Sequence, residues 1–228
     1  GGGGGGARGR LAGAGGATAM RTILEGRATD VQTAGLLIAL RTKGEQTEEL
    51  LGFVEVMREK CLTVTLDDAD AIDMCGTGGD GSGTFNISTV ASFVVAGAGV
   101  TVAKHGNRSI SSSCGSADVL GALGVNIDLP PDRVGACINT IGIGFLFAPL
   151  FHPAMKHAAK SRAELGVRTL FNMLGPMTNP AGVRRQLVGA FSTEAAQIMA
   201  GVFSQLDPIR VLVVHSHDGL DEASLEAM

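Results

Sequence analysis

The chain has no tryptophan and no tyrosine among its 228 residues, and only nine phenylalanines. Any core or binding surface must therefore rely on Leu, Ile, Val, Met and Phe, and aromatic stacking platforms for nucleobases are scarce. Cysteine is sparse too. Cys61, Cys75, Cys114 and Cys137 stand far apart, with no Cys-x-x-Cys spacing. That excludes a zinc ribbon or a thioredoxin motif and suggests free thiols in a reducing compartment, so the chain is expected in the cytoplasm. An excess of positive charge is also missing: the net charge is −4, with 18% charged residues. Such a chain has no general attraction for nucleic acid or anionic membrane, and any anion must be held by a local site. The uncharged stretch from Val134 to Phe151 contains Asn139, Thr140 and Pro149. A membrane helix is more uniformly apolar.

Glycine is what the chain has in excess: 34 residues, ten of them in the first twenty. The segment from Gly1 to Ala19 has no hydrophobic period and is expected to be a disordered leader (residues 1–19). Arg8 and Arg10 among the glycines faintly resemble RNA-binding tracts, and a transit peptide should be rich in serine, which this segment lacks. A misextended or partial gene product is the simpler reading.

Two helical patterns follow, forming a small helical unit expected over residues 20–66, with a Met20–Gly26 turn ahead of them. Thr29 is placed to cap a helix in which Val31, Ala34, Leu37, Ile38 and Arg41 recur near every 3.6 residues, ending at Gly44. Thr47 is placed to cap a second, with Glu48 and Glu49 at its positive end and Leu50, Leu51, Val54 and Met57 on one face.

From Ala71 the pattern alternates. Apolar runs at Ala71–Cys75, Val100–Ala103, Asn126–Leu129, Gly144–Phe147, Gln186–Phe191 and Arg210–His215 read as strands. Helix-like stretches at Ile87–Ala98, Ala117–Leu123, Asp132–Ile141, His152–Leu165 and Thr193–Leu206 separate them. Strand, helix, strand predicts an α/β domain (residues 67–228) with a mostly parallel sheet, so ligands are sought beyond the carboxyl ends of the strands.

Four segments there carry chemistry. Gly76-Thr77-Gly78-Gly79-Asp80, continuing through Gly83 and Thr84, lets backbone N–H groups approach a ligand. Asn86-Ile87-Ser88-Thr89 then opens a helix with hydroxyls and free N–H groups, which suits a phosphate or pyrophosphate. A tight turn is the bland alternative; neither the nucleotide-triphosphate loop nor the Rossmann spacing is present. Lys104-His105-Gly106-Asn107-Arg108 and the serines after it make a second donor cluster, with Ser116 placed to cap the next helix. A solvated loop would look similar. Asp218-Gly219-Leu220-Asp221-Glu222 offers adjacent carboxylates for Mg²⁺, beside His215 and His217, which lack a third ligand for a transition metal. His152-Pro153 starts a basic helix on which Arg162, ten residues on, lies on a similar face and suits a carboxylate. Asn172 to Pro180 is a rigid turn in which Met173 and Met177 are expected to pack.

In order, these motifs resemble the anthranilate phosphoribosyltransferases: Gly76-Thr77-Gly78-Gly79-Asp80, Asn86-Ile87-Ser88-Thr89, Lys104-His105-Gly106-Asn107, Gly115-Ser116-Ala117-Asp118, His152-Pro153-Ala154-Met155-Lys156, Leu174-Gly175-Pro176 and Asp221-Glu222. The resemblance runs from about Arg21 to Glu222. It implies a helical domain beside a large α/β domain, a homodimer joined through the helical domains, and transfer of a phosphoribosyl group to anthranilate. By the same resemblance, Gly76, Thr77, Gly78, Gly79, Asp80, Thr84, Asn86, Ser88, Thr89, Lys104 and Ser116 hold phosphoribosyl pyrophosphate. Gly76, His105, Asn107, His152, Arg162 and Pro176 receive anthranilate, and Ser88, Asp221 and Glu222 hold Mg²⁺. No catalytic acid or base is assigned.

The family chain continues past the acidic pair, so the α/β domain is expected to be incomplete at its C-terminus, with a sheet edge and an apolar face uncovered. The glycine leader stands where the family has its first helix, and Gly121 where it has an acidic residue. A non-catalytic fragment that only binds ligand or partner, and a pyrimidine nucleoside phosphorylase-like enzyme, are the alternatives.

Overall fold

The computed structural model describes residues 13–78, 83–109 and 114–224. Three helices come first: α1 (Gly13–Leu24), α2 (Asp30–Lys43) and α3 (Thr47–Glu59). The leader is thus helical from Gly13 on, a correction to its expected disorder, and Met20–Gly26 is the end of that helix instead of a separate turn. Gly16, Met20, Ile23 and Leu24 recur at helical spacing and are buried. A Cβ on Gly52 of α3 would strike the Gly13 carbonyl, and one on Gly16 would lie 2.8 Å from the Glu49 carbonyl. Glycine weakens an isolated helix by about 1 kcal/mol, but here it lets two helix backbones meet. Tertiary contact outweighs propensity.

The α2 start matches expectation. Thr29 Oγ1 accepts the Gln32 N–H and the Gln32 side chain accepts the Thr29 N–H. The α3 cap lies one residue before the expected Thr47: Glu49 accepts the Gln46 N–H at 3.2 Å and pairs with Lys43 at 2.7 Å. Thr47 is already inside the helix.

Five strands follow: β1 (Ile72–Gly76), β2 (Val102–Gly106), β3 (Ile143–Phe147), β4 (Arg185–Gly189) and β5 (Arg210–Val214). All neighbours pair in parallel, in the order β3-β2-β1-β4-β5. The second strand starts at Val102, so Lys104 and His105 are strand residues and not part of the following loop. Asn126–Leu129 is no strand. The Asn126 side chain accepts the Asp128 N–H, Pro130 follows, and Ile127 anchors the segment in a small cluster with Phe145 and Phe147.

The crossovers are α4 (Ile87–Gly97), α5 (Ser116–Ala122), α6 (Pro131–Ile141), α7 (Ala148–Phe151), α8 (Lys156–Leu165), α9 (Phe171–Leu174) and α10 (Thr193–Phe203). The expected His152–Leu165 helix is broken: Pro153–Met155 forms a 3-10 turn, and α8 begins at Lys156. Helical spacing therefore does not carry from His152 to Arg162.

Alternate strand residues face opposite sides. Val188, Ala190, Val211 and Val213 pack with Leu37, Phe53, Met173, Leu174, Met177 and Met199 in the main core. Met173 and Met177 pack, as expected. On the other side α4 lies against β1 and β2. There Leu212 is 52% exposed, as are Phe93 (47%) and Val94 (68%) on α4. No described helix is long and apolar enough to cross a membrane, and all four cysteines are free.

Candidate active site

The chain runs from β1 outward to β2 and β3, then returns to β4 on the other side of β1. The carboxyl ends of β1 and β4 thus flank a topological switch point, where α/β sheets open a crevice. Gly76 ends β1 and Gly189 ends β4. Between them sits Asp221, which is buried. A Cβ on Gly189 would collide with the Asp221 carbonyl, and one on Gly76 would lie 3.0 Å from Asp221 Oδ2. Gly78, at φ +64°, donates its N–H to that oxygen at 2.9 Å. The glycines make room for the carboxylate.

Thr77 is fastened across the crevice: its N–H donates to Gly189 O at 2.9 Å, and its Oγ1 accepts the Phe191 N–H at 3.0 Å. Gly79 and Asp80 lie outside the described residues. Thr84 is exposed. Asn86 precedes α4 and donates from Nδ2 to Cys114 O at 3.2 Å instead of capping the helix. Thr89 Oγ1 is buried and has no hydrogen-bond partner among the described residues.

Lys104 is buried at 3% exposure and donates from Nζ to Met74 O at 2.6 Å and Ser88 Oγ at 3.2 Å. An ammonium has three donors, and among the described residues two are taken, which leaves a third that a ligand can use. Burial lowers its pKa, and the neighbouring Asp73 and Glu222 oppose that fall. Ser88, Lys104 and Glu222 thus share one neighbourhood. Among the described residues no three His, Cys, Asp or Glu side chains converge as a metal site. Two carboxylates and a hydroxyl still suit Mg²⁺, which takes few protein ligands when phosphate oxygens supply the rest.

His105 leaves β2 on the opposite face. Its Nδ1 is 3.1 Å from Gly175 O, in the 3-10 turn Gly175–Thr178, and its ring centroid is 5.2 Å from that of His152. Both residues are 5% exposed, and Nε2 of each has no hydrogen-bond partner among the described residues. Burial lowers their pKa values to about 3 for His105 and about 4 for His152, and the charges of His152 and Lys104 add to the fall at His105. Both are neutral near pH 7.

Asn107 is exposed, and its carbonyl accepts from Ala117 N and Ser116 Oγ. Ser116 is the first helical residue of α5 and not its cap: the Asp118 carboxylate accepts the Gly115 and Ser109 N–H groups. Pro176 is buried, its carbonyl accepting from Gln186 Nε2 at 2.9 Å. Arg162 lies in the last turn of α8. Its guanidinium lies 4.9 Å from the Phe171 ring, makes no ion pair among the described residues, and has its pKa lowered by burial. His215 Nδ1 is within 2.9 Å of Ala190 O, which is a structural contact.

Sequence reasoning passed over Asp73, Asn179 and Gly189. Asp73 is fully buried beside the site, and its signal was a lone acid inside an apolar strand run.

The model of the glycosyl transferase family, a/b domain, matches residues 68–228, and that of the glycosyl transferase family, helical bundle domain, matches residues 11–61. The anthranilate phosphoribosyltransferase of Salinibacter ruber is 58% identical over 209 residues, which is 92% of this chain and 61% of that protein. That of Moorella thermoacetica is 55% identical, with 92% and 62% covered. The chain spans about three fifths of the length of these curated relatives. Among solved structures, the Thermus thermophilus anthranilate phosphoribosyltransferase superposes with a TM-score of 0.90 at 46% identity, over 96% of this chain and 66% of that one. The Saccharomyces cerevisiae anthranilate phosphoribosyltransferase in complex with PRPP and Mg gives 0.87 at 30% identity, over 94% and 64%.

Proposed function

This chain belongs to the glycosyl transferase family, and on that premise we propose that it transfers the phosphoribosyl group of phosphoribosyl pyrophosphate to the amine of anthranilate, a step of tryptophan biosynthesis. The observation that carries the reading is the buried Lys104 ammonium, held against Ser88 at the switch-point crevice with one donor spare. The similarity to anthranilate phosphoribosyltransferases, one of them bound to PRPP and Mg, supports it.

The amine nitrogen attacks the anomeric carbon, the C–N bond forms, and the C–O bond to pyrophosphate breaks. Positive charge builds on the sugar and negative charge on the leaving group. Lys104, the Thr89 hydroxyl and the N-terminal turn of α4 face the latter, fixed before the reaction begins. Asp221, Glu222 and Ser88 would hold Mg²⁺, which when bound neutralises pyrophosphate. Gly76, Thr77 and Gly78, with Gly79, Asp80, Thr84, Asn86 and Ser116, complete the phosphoribosyl pyrophosphate side.

On the other side, His105 gives its Nδ1 proton to Gly175 O, so its Nε2 is a lone-pair acceptor suited to an amine N–H. His152, Asn107 and Pro176 line the approach, and Arg162, free of carboxylate partners in the described residues, takes the anthranilate carboxylate. An aryl amine is largely unprotonated near neutral pH, so positioning suffices and no catalytic base is assigned. We place the protein in the cytoplasm as a homodimer joined through its helical unit. The exposed Val31 and Ile38 of α2, seven residues apart, support that face.

The test is loss of anthranilate fluorescence with the purified chain, phosphoribosyl pyrophosphate and Mg²⁺. EDTA is expected to stop it. Arg162→Ala is expected to raise KM for anthranilate roughly tenfold or more and leave that for phosphoribosyl pyrophosphate nearly unchanged. Asp221→Asn with Glu222→Gln is expected to remove the metal-dependent rate. A folded chain that consumes no anthranilate under any metal condition overturns the reading.

A further inference from the structure

Arg58 stands in the last turn of α3, half-buried, and its Nε donates to Met177 O at 2.9 Å. That bond fixes the plane of the guanidinium. Nη1 and Nη2 keep no hydrogen-bond partner among the described residues. Nor does a carboxylate pair with Arg58 there: Glu59, next in the helix, is taken by Arg21 and Lys60. Cys61, its titratable neighbour, is a neutral thiol near pH 7, because burial pushes its pKa up to about 11. A cation withdrawn from water without a counter-ion is costly, and an arginine cannot shed its charge to escape that cost. This one lines a cleft of about 200 Å³ together with Thr63, Val64, Pro180 and Ala181. We propose that the cleft is a binding site for a small carboxylate with an apolar body, separate from the switch-point crevice.

The walls are held in place by the chain itself. The Val64 N–H donates to Pro180 O at 3.0 Å, which joins the two segments on either side of the cleft. Buried Asn179 shapes the turn beyond, its Oδ1 accepting the Ala181 N–H at 2.8 Å and its carbonyl the Gly182 N–H at 3.0 Å. A frame fixed in advance leaves little ordering to be done on binding. None of these residues belongs to the crevice between Gly76 and Gly189. The two places touch one common element, the 3-10 turn Gly175–Thr178, which Arg58 meets at Met177 O and His105 at Gly175 O.

The donor set selects the ligand. The two free guanidinium nitrogens form a planar fork that matches the two oxygens of a carboxylate, and the exposed Thr63 hydroxyl stands at the rim. Opposite them Val64, Pro180 and Ala181 offer apolar surface and no further cation. A phosphate would find one charge and a dry wall, whereas a carboxylate on a short hydrocarbon or a single ring satisfies both sides. The room is below the roughly 300–1,000 Å³ of sites for drug-sized ligands, which limits the body to about the size of benzoate.

The experiment is an NMR titration of the isotope-labelled chain with sodium benzoate, run beside sodium chloride at equal ionic strength. The Arg58 Nε–H signal and the Ala181 and Gly182 amides are expected to shift saturably with benzoate, with a Kd on the order of 1 mM, and to stay in place with chloride. Arg162→Ala, which removes the carboxylate clamp of the proposed reaction, is expected to leave that Kd within about twofold, as for independent sites. Arg58→Gln, followed on the two amides, is expected to weaken binding roughly tenfold or more. Where Arg58→Gln does not fold, Ala181→Leu decides, since it fills the cleft and keeps the guanidinium; it is expected to weaken benzoate to the same degree. Signals that stay still with benzoate, or that move equally with chloride, overturn the proposal. So does a response that disappears in Arg162→Ala, which would assign it to the crevice, or one that survives in Ala181→Leu. A chain that transfers no phosphoribosyl group would fail the reading given under Proposed function and leave this titration unaffected.

Discussion

A methyl group at Gly189 would overlap the carbonyl of Asp221, the residue whose carboxylate receives the Gly78 N–H. Gly189→Ala is therefore expected to push Asp221 out of the crevice and weaken Mg²⁺-dependent pyrophosphate binding by roughly tenfold, measured by calorimetry. The two buried imidazoles give a stability effect instead. Their folded pKa values, about 3 for His105 and about 4 for His152, lie below the ordinary 6.5. Between those limits the unfolded chain binds more protons, so stability falls as pH drops below 6.5 and stops falling near the folded values. Urea unfolding at about pH 7 and about pH 5 should differ by roughly 2 kcal/mol or more from this source, and His152→Asn should shrink the difference. Much of this site was legible as residue types: Gly76, Ser88, Lys104, Asp221 and Glu222 were all singled out. Asp73 was not, because an acid in a five-residue apolar run reads as a strand end until its partners are known.

Elements whose hydrophobic period agrees with their fold were readable. The bounds of α2 are legible from its Thr29 cap and closing Gly44, but its buried face is Thr33, Leu37 and Leu40, and of the expected apolar positions Val31 and Ile38 are exposed. The α1 helix was not legible, because its stability comes from the approach of Gly13, Gly16 and Gly52 and not from its own propensity. Opposite responses to glycine substitution follow. Gly52→Ala places a methyl against the α1 backbone and is expected to destabilise by roughly 1–3 kcal/mol in chemical denaturation. Gly35→Ala, in α2 with open space around it, is expected to stabilise by about 0.5–1 kcal/mol. Strand β2 lies two residues later at its start and three at its end than the apolar run Val100–Ala103, because Lys104, His105 and Gly106 look like loop residues. Lys104 and His105 are tolerated in a strand because each has a buried polar partner, at Ser88 and Gly175. Asn126–Leu129 failed for the converse reason: its alternation is real, but its side chains already complete a turn.

At the scale of the molecule, parallel order was predictable from alternation, whereas strand order was not, since it depends on which crossovers fit. The face bearing Leu212, with Val90, Phe93 and Val94 of α4, is an apolar surface in water. Exposed patches of that kind drive association. Val94→Glu with Leu212→Lys is expected to lower the apparent mass of the purified chain in light scattering, and an unchanged mass would show that this face does not mediate self-association.

The short register pairing between β1 and β2, confined to Ile72 with Val102 where the other three ladders each run over five pairs, bears on how the protein breathes. Backbone bonding makes two slabs of the sheet, β3-β2 and β1-β4-β5, that meet through a single residue pair. Most sheets open from an edge. This one has an internal seam bridged by Lys104 Nζ to Met74 O and by the His105 N–H to Asp73 Oδ1, so the amide of His105 should exchange its hydrogen with solvent sooner than those of Leu187 and Val188 in β4, which follow global unfolding.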